Sequence, residues 1–514
     1  MVTERLEVLI KIIFNMIVNI ETRDKFNPST GNNGQQLIIS YINKEGNIDY
    51  LHGFISETDM YNWYYLNYSV YGRDKYHMSW DNKPVKKGKV KHLSDSRIRE
   101  IVCDILKQRP ELSIIKDLNI PDTAFCDIEV NVTDDGFPDP IHAANPVNTV
   151  SWVHGTEVTV LGRVNLTATQ IKNIQKKIDE HCSIFNEKYN FTYRYFENEV
   201  DMLTVLFRDY MGKVSCITGW NWFGYDYPYL YNRAYEKLKI DMIDLMMGEN
   251  LNGTTIYNPQ NAKSKEERVY IPYHRMMYDY MEVYAKWDRS ISPKESNKLD
   301  WVSEKALGVK KVVHELGFKA LWEQKPDEYV FYNAVDSILV REIDKKLKTA
   351  QTFFTLANLL HVPALMTFSP VRSLEVVQTE YLYKEGKVFP KVENEPIASN
   401  KSYTGAFVYE PTPSVYRNVI ALDFASLYPS TIRQFNISPD TFLGMDSSIN
   451  IVKEPDKIKT VSGAVYERNR NGFIPNILTD FYKQRKVFKK EMQIAEKEKG
   501  ELEEILERRL KSCK

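Results

Sequence analysis

Residues 123–130 read TAFCDIEV, with two carboxylates, Asp127 and Glu129, two positions apart in an otherwise apolar run. In a strand, positions i and i+2 share a face. The pattern therefore presses two like charges together where a strand expects burial. Burying one unpaired charge is costly, and a second beside it adds to the cost. Either this is an edge strand with its acids in water, or a divalent cation, Mg²⁺ or Mn²⁺, turns their repulsion into coordination.

Two later stretches bear on that choice. Residues 217–230 read ITGWNWFGYDYPYL. An apolar strand delivers Asn221 and then Asp226 at its end, where the sites of α/β proteins gather. Residues 329–340 read YVFYNAVDSILV. Tyr332 and Asp336 are four apart and so share one side of a helix. Taken singly, each fits an ordinary surface or capping residue. Together, Asp127, Glu129, Asp226, Asp336 and Tyr332 are the equipment for two metal ions about 3.5–4 Å apart. One ion would activate water and the other would stabilise the leaving 3′ oxygen. Tyr332 would position the attacking water or the scissile phosphate.

Strand and helix signals alternate from 122 to 350. Strands are expected at 124–130, 147–153, 157–164 and 213–221. Helices are expected at about 167–185, near 197–211, after Asp226 and at about 326–348. That alternation predicts an α/β unit built on a sheet. Residues 350–386 read as helices, 403–424 as β-rich, and 426–434 as a turn and helix. From Pro475 one long charged helix is expected. Residues 1–120 carry mixed strand and loop signals. Within them, LEVLIKIIFNMIVNI (6–20) is broken by Lys11 and Asn15 and is too short to span a bilayer. It also lacks a small-residue cleavage site and reads as an ordinary buried or amphipathic element.

The chain has 68 Lys+Arg against 69 Asp+Glu, which excludes a uniformly basic nucleic-acid binder. Any DNA binding must come from local basic clefts. The five cysteines, at 103, 126, 182, 216 and 513, form no CxxC pair. Their odd count fits a reducing cytoplasm and argues against a disulfide framework or zinc ribbon.

A second acidic feature lies at 419–434, VIALDFASLYPSTIRQ. An apolar strand is expected to end in Asp423 and turn into a helix, so Asp423 is either a metal ligand or an ordinary turn residue. Further on, FYKQRKVFKKEM (481–492) puts Arg485 and Lys489 on one helical face. Two such cations suit a triphosphate, and equally suit a solvated charged helix.

In this order and spacing, DIEV, NWFGYD and YNAVD resemble the three exonuclease motifs of family B DNA polymerases. DGFPDP (135–140), TGWN…DYPYLYNR (218–233) and FSPVRS (368–373) resemble the T-even bacteriophage subgroup. One departure is Tyr225, where the family usually has Phe before the aspartate; the ring is kept. DFASLYPS resembles motif A of the palm, and YTGAFV (403–408) resembles the YxGG/A motif between exonuclease and palm. QRK followed by Lys489 resembles the fingers residues that grip the incoming nucleotide. The resemblance spans 122–512, and is weaker over 1–120.

What the resemblance implies is specific. The fold is expected to be α/β and α+β multidomain, with a ribonuclease-H-like 3′→5′ proofreading exonuclease. The expected division is an N-terminal domain (1–120, rejoined by 350–394) and the exonuclease (121–349). The first part of the palm (395–474) and the start of the fingers helix (475–514) would follow. Asp423 is implied as a palm metal ligand. Ser426, Leu427 and Tyr428 are implied at the nucleotide pocket, with Tyr428 as the steric gate against a 2′-hydroxyl and backbone amides at the helix start holding phosphate oxygens. Arg485 and Lys489 are implied as dNTP ligands. Asn221, Tyr403 and Gly405 are implied as DNA contacts. Each active site would hold two Mg²⁺ or Mn²⁺ ions. The partners would be primer–template DNA, a single-stranded 3′ end, dNTP, and, from family context, a sliding clamp and a single-strand-binding protein, in the cytoplasm of a bacterial host.

The family also uses a DTDS motif and a KxxxNSxYG motif, and neither occurs in residues 1–514. The expectation is therefore a replicative polymerase whose hydrolytic site is complete here. A partner chain carrying the C-terminal motifs would complete nucleotidyl transfer, as in a split polymerase. Two other readings compete: a stand-alone 3′→5′ DNA exonuclease, and a non-catalytic DNA-binding replication scaffold. Motif A and the fingers cations speak against the first, and the intact acids speak against the second.

Overall fold

The computed structural model describes residues 16–512 except 28–31, 44–45, 57, 66–76, 82–83, 108–119, 133–135, 137, 248–252, 261, 263, 265–266, 313–315, 391–408, 411, 425, 447 and 449–453. The chain divides into two compact units, Met1–Ser56 with Arg109–Ser373, and Glu57–Gln108 with Leu374–Lys514. The stretch 1–120 is thus shared between them.

In the first unit, a six-stranded mixed sheet carries the motifs. Its strands are β1 (Thr123–Val130), β2 (Val147–His154), β3 (Glu157–Gly162), β4 (Asn190–Tyr195), β5 (Cys216–Gly219) and β6 (Met276–Asp279), in the order β4-β3-β2-β1-β5-β6. β2 runs antiparallel to both β1 and β3, while β4 lies parallel to β3, β5 parallel to β1 and β6 parallel to β5. β1 is therefore a central strand, which removes the edge-strand reading of its acids.

Both faces of β1 are covered, and its period-2 alternation divides them. Ala124, Cys126, Ile128 and Val130 enter one core with Trp152, Phe207 and Trp222. Phe125 enters the other core, with Val335, Ile338 and Leu339. Asp127 and Glu129 share the Phe125 face. Opposite them in the antiparallel register, β2 presents Ser151 and Thr149, both fully buried. Gly219 on β5 is demanded by this neighbourhood, because a Cβ there would lie 2.4 Å from the Cys126 carbonyl.

Helices form where the punctuation predicts them. α1 (Ala168–His181) opens with a capping box between Thr167 and Gln170 and buries Ile174 and Ile178. α2 (Asp226–Asn232) begins at Asp226 itself. The expected helix near 197–211 forms as Glu199–Val205 continuing in π form to Met211. α3 (Pro326–Leu347) starts with Pro326 in its first turn and is buried continuously from Tyr329 to Val340. A helix buried on all sides over such a stretch lies in a core, and α3 packs on β1 and β2. A three-stranded antiparallel sheet (Met16–Asn27, Asn32–Ile42, Ile48–Phe54) belongs to the same unit. Residues 6–15 lie outside the described residues.

In the second unit, α4 (Leu427–Gln434) packs on α5 (Phe473–Ser512) beside a three-stranded sheet. The β-rich reading of 403–424 does not hold for the part that is described. Residues 409–424 contain no strand and run exposed, with Leu422 at 93% exposure. The apolar residues there have strand propensity, but a strand also needs a neighbour for its ladder, and none of the described strands pairs with this segment. No helix among the described residues is long and apolar enough to cross a membrane.

Candidate active site

The sheet and α3 bring three of the predicted acids together. Carboxylate oxygens of Asp127, Glu129 and Asp336 all lie within 4.8 Å of one another. Glu129 and Asp336 are buried and Asp127 is partly so. Asp226 stands beside this trio and is committed elsewhere: its Oδ1 accepts a 3.0 Å hydrogen bond from the amide of Ile128, the residue between the two strand acids.

Their electrostatics follow from crowding in a dry place. Burial, then the charge of Asp336, pushes the Asp127 carboxyl up to about 7. Burial and the charges of Asp127 and Asp336 raise Glu129 well above the carboxylate range. Burial and Asp127 do the same to Asp226. Burial also raises Asp336, although a lysine opposes it. That lysine is Lys311, whose Nζ lies 2.5 Å from Asp336 Oδ2 and 4.6 Å from the centre of the Tyr332 ring. Against the opposing effect of burial, the charges of Asp336, Tyr332 and Asp127 hold the Lys311 ammonium above its usual range. Burial and Asp336 push the Tyr332 hydroxyl up, so it remains a proton donor at neutral pH.

One cation for four acids leaves the cluster short of positive charge. Asp336 Oδ1 is buried and has no hydrogen-bond partner among the described residues. Such a carboxylate set, each member favouring a proton chiefly because it is buried, suits a hard divalent cation with oxygen ligands. The residues present therefore fit a metal.

Sequence reasoning passed over two residues. Lys311 comes from a loop with no periodicity, tied to the helix Leu299–Leu307 by its amide, which donates to Asp300 Oδ1 at 3.0 Å. Asn333 is fully buried, and its Nδ2 donates to Asp127 Oδ2 at 2.7 Å. A signal for Asn333 did exist, since it is a polar residue in the middle of an apolar helix. Asn221 takes the left-handed conformation, φ +60°, in the turn before α2. Its side chain sits where a Cβ on Gly224 would be, 2.2 Å from that position.

The second set of predicted residues is arranged more loosely. Asp423 is exposed, in the segment without strand, and makes no hydrogen bond or ion pair among the described residues. Ser426, at φ +54°, precedes α4, whose first residues Leu427 and Tyr428 are half to three-quarters exposed. Arg485 and Lys489 are exposed along α5. Helix α4 meets α5 through the Arg433 guanidinium, 5.2 Å from the Tyr482 ring centre. Tyr403 and Gly405 lie outside the described residues.

Comparison with known proteins adds a pattern that geometry alone does not carry. Residues 51–302 match the exonuclease domain of DNA polymerase family B, and residues 371–514 match DNA polymerase family B. The chain is 29% identical over 446 residues to a DNA-directed DNA polymerase of Escherichia phage RB69, covering 81% of this chain and 46% of that protein. It is 27% identical over 421 residues to the corresponding protein of Enterobacteria phage T4, covering 78% and 46%. A DNA polymerase delta catalytic subunit of Mesocricetus auratus is 28% identical over 291 residues, covering 54% and 26%. The chain thus spans about half the length of the phage relatives it matches.

Proposed function

This chain belongs to family B of the DNA polymerases, and from that premise we propose that its first compact unit is a metal-dependent 3′→5′ exonuclease of ribonuclease-H-like fold. Its substrate would be the single-stranded 3′ end of DNA. The convergence of Asp127, Glu129 and Asp336 within 4.8 Å carries this reading.

In this reading Asp127, Glu129, Asp226 and Asp336 hold two Mg²⁺ or Mn²⁺ ions. When bound, those ions would polarise the phosphate, acidify the attacking water and stabilise the departing 3′ oxygen. The chain's own residues do the rest. Tyr332, protonated and four residues before Asp336 on the same helix, orients the water or the scissile phosphate by donating a hydrogen bond. Lys311 offsets part of the acid charge and holds Asp336 in one orientation. The Ile128 amide does the same for Asp226.

The second unit would serve nucleotidyl transfer. Asp423 would supply a metal-binding carboxylate, and Ser426, Leu427 and Tyr428 would line the nucleotide pocket. Arg485 and Lys489 would grip the triphosphate, with Tyr403 and Gly405 on DNA, while Asn221 would contact DNA from the first unit. By function the division runs 1–120 with 350–394, then 121–349, 395–474 and 475–514. A clamp and a single-strand-binding protein are the partners this reading calls for, in the cytoplasm of a phage-infected bacterium.

A 5′-labelled single-stranded oligonucleotide incubated with the purified chain and Mg²⁺ tests the hydrolytic half. A ladder of shortened, still labelled products is expected, lost on chelation and in Asp127→Ala. Absence of hydrolysis with either metal, or full activity in Asp127→Ala, overturns it.

A further inference from the structure

We propose that Asn333 is the positioning residue for Asp127: its amide sets the orientation in which that carboxylate meets the metal. This deepens the exonuclease reading and rests on it.

Three polar residues, Tyr329, Asn333 and Ser337, recur every four positions along helix α3 and so form one stripe. Each finds a partner on the strands below. The Tyr329 hydroxyl donates to the Val130 carbonyl at 3.2 Å. Asn333 Nδ2 donates to Asp127 Oδ2 at 2.7 Å and reaches the Asp127 carbonyl at 3.4 Å. Ser337 Oγ is hydrogen-bonded to Ser151 Oγ. All three side chains are buried.

Of the three, only Asn333 grips a carboxylate of the acidic trio. The other two reach a main-chain carbonyl and a serine. One oxygen of Asp127 thereby accepts from Asn333, and the carboxylate so held would be the one offered to a cation. Asn333 Oδ1 is itself buried without a partner among the described residues, so the amide has an acceptor to spare at the edge of the cluster. Partners that hold a ligand from behind typically change metal affinity or activity 10–100-fold when removed.

The test uses the whole chain and manganese alone, read by electron paramagnetic resonance of free Mn²⁺, so that no turnover is needed. Asn333→Ala is expected to raise the Mn²⁺ dissociation constant about 10-fold or more. Asn333→Leu fills the same space with a strong helix former, and the same rise is expected, so the question stays answerable if the alanine variant does not fold. Ser337→Ala and Tyr329→Phe remove the neighbouring hydrogen bonds of the stripe and are expected to leave Mn²⁺ affinity within twofold of the parent. Parent-like affinity in either folded Asn333 variant overturns the proposal. An equal loss in Ser337→Ala or Tyr329→Phe also overturns it, because the effect would then be one of packing. If the parent chain binds no Mn²⁺, the exonuclease reading itself falls.

Discussion

Asp226 reaches across to the neighbouring strand and accepts the amide hydrogen of Ile128 at 3.0 Å. It joins the turn after β5 to the strand that carries Asp127 and Glu129, so this carboxylate has a structural bond beside the metal-binding duty proposed for it.

These two roles separate in Asp226→Asn and Asp226→Ala. Asparagine keeps an acceptor for the Ile128 amide and removes one charge from a crowded cluster. Its metal-free stability, measured by urea unfolding, should equal or exceed that of the parent. Alanine orphans a buried amide and should cost about 1–3 kcal/mol. Both should lose exonuclease activity at moderate Mg²⁺, because both lose the charge.

Metal removal should make stability fall with pH in a defined window. Asp127 is held at about 7, above the ordinary carboxylate value of 3.8. The folded chain therefore binds more protons than the unfolded one between about pH 4 and 7, and stability declines as pH rises through that range. In EDTA the unfolding midpoint should drop across this window, less so in Asp127→Asn. Mg²⁺ at pH 7.5 should restore it, since the cation takes over from the proton.

Lys311→Met should strand Asp336 as a buried carboxylate with one fewer partner. The lysine is 27% exposed, so the expected loss is about 2–3 kcal/mol, below the 3–5 of a fully enclosed pair. Added Mg²⁺ should stabilise this variant more than it stabilises the parent. Equal metal stabilisation of both would count against Lys311 as the resident counter-charge.

Asp423→Ala should leave the hydrolytic unit alone. The residue is exposed and makes no hydrogen bond or ion pair among the described residues, so stability should change by no more than about 0.5 kcal/mol. Exonuclease rate on single-stranded DNA should stay within twofold of the parent. A large drop would mean that the two acidic sites are not separate.

How much of this was legible beforehand depended on the range of the interaction. The side-by-side placement of Asp127 and Glu129 follows from strand alternation, and that of Tyr332 and Asp336 from the helical turn, so both pairs could be read locally. That the two pairs meet depends on α3 lying over β1, which the motif resemblance supplied and periodicity did not. Lys311 escaped because a loop lysine carries no pattern; only its contact with Asp336, 25 positions away, gives it meaning. The strand expected before Asp423 failed for the opposite reason. Its residues have the propensity, but propensity does not provide a neighbouring strand.

The stripe of Tyr329, Asn333 and Ser337 also acts as a key for alignment. One residue of slip along a helix turns every side chain by about 100°, which would swing Asp336 away from Asp127 and unseat all three hydrogen bonds at once. A single-residue insertion or deletion between 333 and 336 should therefore abolish the site even with every acid present. The same change beyond Leu347, where α3 ends, should be tolerated. What this part of the gene must conserve is a spacing as much as a set of letters.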